Sequence, residues 1–209
     1  MEHRKDSSTD RQELSEKAKA ILEGAMREFL AHGYAATSMD RVAAAAGVSK
    51  ATVYSHFKDK EGLFNALIQR LVHERFGTIF GSLLDSHSAQ AEPRVVLRRL
   101  ATNMLDSVTT DGQLQAFMRL IVGESGRFPE LANAYVRNLV KPVIDSLTHY
   151  LASQPQLKLS DPEAIVRIFI GSLIYHVLLQ EVLHGKEILP MERERLVDNL
   201  ISLIVCKED

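Results

Sequence analysis

From Leu14 to His32 the apolar residues Leu14, Ala18, Ile21, Leu22, Ala25 and Phe29 recur at spacings of three and four, with charges on the other side. A chain patterned this way forms an amphipathic helix. Nearly every later segment repeats the period. Tryptophan is absent, and 209 residues include only 11 glycines and 6 prolines, so turn-dense β architectures are disfavoured and an all-α fold is expected. Ser15 is a plausible N-cap for the first helix, and Gly33 is placed to end it in a left-handed conformation.

Punctuation residues divide the rest. The pattern predicts a short helix after an N-cap at Ser38, running to Ala46. Gly47-Val48-Ser49 is a turn, and a second short helix spans Lys50 to Phe57. Asp59 caps a longer helix that reaches about Leu84, and Asp85 to Glu92 reads as a linker. Helices are expected at about 93–109, 112–125, 129–152, 162–184 and 190–206. Asp161-Pro162 forms a cap followed by proline at the first helical position. Pro142 falls inside its helix and should kink it.

Composition excludes several classes. A single cysteine, Cys206, rules out an internal disulfide framework and any cysteine-cluster zinc site. The polar first dozen residues lack the apolar core of a secretory signal. The most apolar run, Ile168 to Leu179, is about a dozen residues, short of the ~18 that a membrane span requires. A soluble, cytoplasmic protein without membrane association is expected. No phosphate-binding glycine loop, dinucleotide fingerprint or nucleophile elbow is present, and His73-Glu74 lacks the second histidine of a zincin. The chain is therefore read as a non-enzyme, with neither metal nor cofactor.

The informative segment is Thr37 to Lys60, TSMDRVAAAAGVSKATVYSHFKDK. Two short helices separated by Gly-Val-Ser form a helix-turn-helix pattern. Val42 and Ala45-Ala46 give the first helix a small apolar face, Gly47 supplies a positive φ, Val48 plugs the gap, and Ser49 caps the second helix. On that helix Val53 and Phe57 face inward, leaving Lys50, Ala51, Thr52, Tyr54, Ser55 and His56 to face outward or sideways. No acid occurs from Ser49 to Lys58. From Gly33 to Lys60 four basic residues (Arg41, Lys50, Lys58, Lys60) stand against two acids, whereas residues 61–209 carry 15 basic and 18 acidic. A locally basic tip on an acidic body suits phosphate contact, which is a local requirement.

These residues resemble the DNA-binding domain of TetR-type repressors. The resemblance rests on Ala25, Phe29, Gly33, Tyr34, Thr37, Ala43, Ala46, Gly47, Val48, Ser49, Tyr54, Phe57, Lys60, Leu63 and Phe64, within about residues 15–66. The polar, mixed-charge start reads as a disordered arm over 1–13, and the resemblance implies a three-helix DNA-binding domain over 14–60, a connecting helix over 61–84, and a larger helical effector-binding and dimerisation domain over 85–209. It also implies a homodimeric repressor of double-stranded operator DNA, released by a small molecule.

By the same resemblance the DNA contacts fall on Thr37, Ser38, Ser49, Lys50, Ala51, Thr52, Tyr54, His56, Lys58 and Lys60. Tyr54 and Lys60 would be phosphate anchors, and Lys50, Ala51 and Thr52 base readers. The helices at 162–184 and 190–206 would form the dimer's bundle; their stripes at Ile165, Phe169, Leu173 and Val177 and at Leu196, Leu200, Leu203 and Ile204 suit either that partner or packing within the monomer. Candidates for an apolar or amphipathic effector are Met104, Phe117, Met118, Ile121, Tyr135, Phe169 and His176. Arg119 and Glu124 read as solvated or paired surface groups. An activator, or a repressor governed by a protein partner, would share the DNA-binding features, and a small helical enzyme is the alternative of a different class.

Overall fold

The computed structural model describes residues 6–71, 73–74 and 92–205. Among them every regular element is helical. In order these are α1 (Asp6–Ala36), α2 (Met39–Ala46), α3 (Lys50–His56), α4 (Lys60–Leu71), α5 (Pro93–Thr110), α6 (Gly112–Glu124), α7 (Pro129–Tyr135), α8 (Lys141–Ala152), α9 (Pro162–Val177) and α10 (Arg193–Val205). The far half of the expected connecting helix, most of the expected linker and Cys206 lie outside the described residues.

Two boundaries differ from the sequence reading. Helix α1 begins at Asp6, not after a cap at Ser15, so residues 6–13 of the expected arm are helical. No glycine or proline occurs between Asp6 and Glu23 to interrupt it. At its other end, Gly33 does break the helix, but with φ 77° and ψ 168°. That is the extended positive-φ region, accessible essentially to glycine alone, and not the left-handed helical cap expected.

The remaining punctuation behaves as local chemistry dictates. The Ser38 hydroxyl accepts from the Arg41 N–H, and Gly47 closes α2 at φ 68°, ψ 28°. Asp161 accepts from the Ala164 N–H ahead of Pro162. Residues 136–140 form a π-helical turn that ends two residues before Pro142. Proline removes one N–H and its ring crowds the carbonyl four residues back, so the helix widens there instead of stopping.

The chain divides into two compact units. The first holds residues up to Arg70 together with Leu120–Tyr135, and the second holds Leu71–Arg119 and the chain from Val136 onward. The sequence reading had assigned Leu120–Tyr135 to the larger domain. They join the first because the Tyr34 N–H donates to the Glu124 carboxylate at 3.2 Å, and the Tyr34 ring packs edge-on against Phe128.

In the first unit Phe29, Tyr34 and Phe64 form a buried aromatic cluster with centroids 5.4–5.5 Å apart. In the second, Leu97, Leu105, Leu147, Phe169 and Ile201 centre the core. Phe169, Leu173 and Val177, and likewise Leu200 and Ile204, are buried inside this unit. Of the two coverings open to these stripes, packing within the unit takes most of their residues. The apolar residues that α9 and α10 leave exposed are Ile168 (57%), Tyr175 (60%) and Leu203 (77%).

The run Pro162–Val182 is 21 residues with mean hydropathy 1.5, long and apolar enough by composition to cross a membrane. This exceeds the dozen residues read from the sequence. Its Val166, Phe169, Leu173 and Val177 form part of the core of the second unit.

Candidate nucleic-acid interface

The geometry begins with how closely α1 and α2 approach. Gly24 lies where a Cβ would come within 2.9 Å of the Ala46 backbone nitrogen and 3.1 Å of its methyl group. Small residues at both points let α2 settle against α1, with Met39, Val42 and Ala43 buried. The value of Gly24 was not apparent from sequence, because it depends on a residue 22 positions away. Helix α3 is anchored by Val53, fully buried, with Phe57 half-buried. The Ser49 hydroxyl caps α3 by accepting from the Thr52 N–H at 3.1 Å.

With Val53 inward, the opposite side of α3 presents Lys50, Ala51, Tyr54 and Ser55, all exposed, and Lys58 follows beyond its end. Ser38 and Ser49 are exposed at the two caps. These exposed residues, polar apart from Ala51, lie on and beside a short, pinned helix, as an element entering a nucleic-acid groove requires.

Four residues expected at this surface are engaged elsewhere. Thr37 is buried, and its hydroxyl shares its proton between the Gly33 carbonyl at 2.8 Å and the Glu28 carbonyl at 3.1 Å. It locks the end of α1, and its side chain is withdrawn from any ligand. Lys60, expected as a phosphate anchor, points its ammonium at the carbonyls of Tyr34 (2.8 Å) and Thr37 (2.9 Å) and sits 4.3 Å over the Tyr34 ring. Carbonyls at a helix end need donors, and this lysine supplies them. Burial lowers its pKa. Burial and the neighbouring Glu130 carboxylate push the Tyr34 phenol up to about 12. Thr52 is half-buried with its hydroxyl 2.8 Å from that of Ser49. His56 turns its Nδ1 back to the Thr52 carbonyl at 2.9 Å, which requires the proton on that nitrogen.

The sequence reading also missed an acid. The surface of α3 lacks acids in sequence but not in space, because Asp40 from α2 reaches the Lys50 ammonium at 2.8 Å. That carboxylate raises the lysine's pKa. Arg41 is similarly paired with Glu28 at 2.8 Å.

The effector candidates divide between the units. Met104 and Phe169 are core side chains of the second unit, with Met118 packed against that core. Phe117 and His176 are buried there too, and burial with the nearby Arg193 lowers the histidine's pKa. Ile121 and Tyr135 belong to the first unit. The seven therefore do not form one cluster within either unit. Arg119 donates to the Glu181 and Val182 carbonyls, closing the turn after α9. Tyr150, which the sequence reading did not single out, is buried in the second core, and its hydroxyl has no hydrogen-bond partner among the described residues.

Comparison with known proteins agrees with this geometry. Residues 21–67 match the model of bacterial regulatory proteins of the tetR family, and residues 95–207 match the AefR-like transcriptional repressor C-terminal domain. The chain belongs to the TetR family of DNA-binding transcriptional repressors. Within it, the second half carries the AefR-like type of C-terminal domain. The family is one of regulators, not of enzymes.

The chain is 33% identical to the regulator AcrR of Shigella flexneri over 53% of its own length and 50% of that protein, so this match spans about half of the relative. It is 26% identical to the HTH-type transcriptional regulator YhgD of Bacillus subtilis, covering 92% of this chain and 96% of that one. Among solved structures, the flavonoid-responsive regulator FrrA superposes with a TM-score of 0.65 at 29% identity, over 88% of this chain and 91% of that one.

Proposed function

We propose that the protein is a cytoplasmic homodimeric repressor that holds two copies of α3 in successive major grooves of operator DNA and is released by a small apolar or amphipathic molecule. The observation that carries the DNA-reading half is the surface of α3: Lys50, Ala51 and Tyr54 project outward from a helix fixed by buried Val53 and capped by Ser49. Lysine and tyrosine give donors to phosphates and base edges, and the alanine methyl suits a thymine methyl. Ser38, Ser49 and Lys58 supply further contacts at the rim. Thr52 and His56 contribute through the shape of the helix, and Thr37 and Lys60 by holding the end of α1.

Dimerisation fixes the spacing of the two reading helices at about one DNA turn, ~34 Å. Ile168, Tyr175 and Leu203 are the apolar groups that α9 and α10 leave available for it. Effector binding in the C-terminal domain would shift the helix that starts at Lys60 and change that spacing. The effector must bind the released form more tightly, since equal affinity for both states moves nothing. Of the seven effector candidates, Met104, Phe117, Met118, Phe169 and His176 lie in the second unit. To these Tyr150 adds a buried hydroxyl able to bond a polar group of the effector. The amphipathic class is supported by a protein of similar fold, the flavonoid-responsive regulator FrrA.

Sedimentation equilibrium tests the assembly. The wild type is expected to sediment as a dimer and to bind an operator duplex as two chains. Tyr175→Asp combined with Leu203→Asp is expected to give folded monomers whose operator affinity falls at least a hundredfold. A double variant that remains a dimer would move the interface elsewhere, and a wild-type monomer that binds DNA one chain per site would refute the two-groove mechanism.

A further inference from the structure

The ion pair between Asp40 and Lys50 is not explained by stability. Both side chains are about 60% exposed, and an exposed pair of this kind contributes little to folding. It is costly for DNA binding, because a carboxylate on a phosphate-facing surface repels the backbone and cancels the charge of a lysine placed to attract it. Of the four basic residues between Gly33 and Lys60, Arg41 is bound to Glu28, Lys60 to backbone carbonyls and Lys50 to Asp40. Two of these four charges, Arg41 and Lys50, are therefore matched by carboxylates of the same unit, which reduces their sequence-independent attraction to DNA.

The pair does have a matching partner among base edges. On the major-groove edge of a G·C pair, the cytosine amino group is a donor lying directly beside the guanine O6 acceptor, with N7 next to it. Asp40 and Lys50 present the complement, an acceptor and a donor held 2.8 Å apart. They come from two helices whose relative placement is fixed by the Gly47 turn and by buried Val42 and Val53. An A·T pair with adenine in guanine's place reverses the order, because its amino group stands where guanine has O6; the opposite orientation, T·A, keeps an acceptor beside a donor but puts the thymine methyl where guanine offers N7 to the ammonium. Phosphate offers acceptors only and leaves the carboxylate facing negative charge.

We propose that Asp40 is a specificity-determining residue that reads one G·C pair jointly with Lys50. The carboxylate accepts from cytosine N4, the ammonium donates to guanine, and every site that does not offer this edge is penalised. This inference rests on the DNA-reading surface proposed above.

The test selects duplexes from a random library with the full-length wild-type protein. It then measures fluorescence anisotropy on the enriched duplex and on a scrambled duplex, over a series of salt concentrations. Asp40→Ala and Asp40→Asn are compared, with thermal melts to verify folding. In the wild type, exchanging one particular G·C pair per half-site for A·T with adenine in guanine's place is expected to cost about tenfold or more in affinity, and the opposite orientation, T·A, less. Both variants should bind the scrambled duplex several-fold more tightly, with a salt slope steeper by roughly one released counterion per chain as Lys50 turns to phosphate. Both should lose most of the G·C preference at that position.

Variants that keep the wild-type preference and slope would overturn the proposal, and so would equal losses on both duplexes, which mark a purely structural residue. Failure of the wild type to enrich any sequence would remove the DNA-reading surface itself along with this inference.

Discussion

Gly33→Ala is expected to lower the melting temperature by roughly 4–12 °C, corresponding to about 2–3 kcal/mol in a chain of this size. Two effects act together. The backbone at φ 77°, ψ 168° is strained for any residue with a Cβ. That Cβ would also stand 2.8 Å from the Glu124 Oε1. The carboxylate can swing away, but only by releasing the Tyr34 N–H that it accepts from, leaving a part-buried donor unpaired. Adding Glu124→Ala to Gly33→Ala should therefore recover only the steric part, because the backbone strain stays. Thermal denaturation of the two single variants and the double variant separates the terms. A Gly33→Ala protein melting within a degree of the wild type would contradict the geometry at the end of α1.

Phe64→Ala should be costlier still, about 3–5 kcal/mol. The side chain is 1% exposed and meets Phe29 and Tyr34 edge-on, at 81° and 77°. Its removal loses transfer energy, leaves a cavity between rigid rings and deletes two aromatic pairs. Whole domains are stable by only about 5–15 kcal/mol, so the loss takes a large share of the total. DNA binding is expected to fall with it. Helix α3 has seven residues, too few to persist without the packing that α2 and α1 provide. The measurement is the denaturant midpoint alongside anisotropy on DNA. Wild-type binding by a variant destabilised this far would show that α3 does not depend on the cluster.

Much of the helix punctuation was legible in the sequence because its determinants are local. Ser38, Ser49 and Asp161 cap helices through bonds that reach three residues along the chain, and Gly47 and Pro142 act on the turn in which they sit. The alternation of Val53 and Phe57 defined the outer surface of α3 by the helical period alone. What escaped the reading depends on residues distant in sequence. Lys60 looked like a phosphate anchor because the carbonyls that capture it lie 23 and 26 positions earlier. Asp40 looked unrelated to α3 because only the turn brings it to Lys50.

The apolar stripes of α9 and α10 illustrate the same limit. Periodicity finds the apolar side of a helix but not whether its own unit or a second chain covers it. Phe169 and Leu173 went to the core, whereas Ile168, Tyr175 and Leu203 remain outside. The effector site was the least legible part, since pocket residues and core residues share the same apolar chemistry.

The most direct test of the DNA-reading account is fluorescence anisotropy on DNA from the protein's own upstream region against scrambled DNA, at ~150 mM salt, where non-specific attraction is weak. Wild-type protein, Lys50→Ala and Tyr54→Ala would be measured side by side. The account predicts tight binding to the upstream duplex alone, with both substitutions weakening it at least tenfold while leaving the melting curve unchanged. Equal, weak binding to both duplexes by all three proteins would contradict it and leave the helix-turn-helix as scaffold.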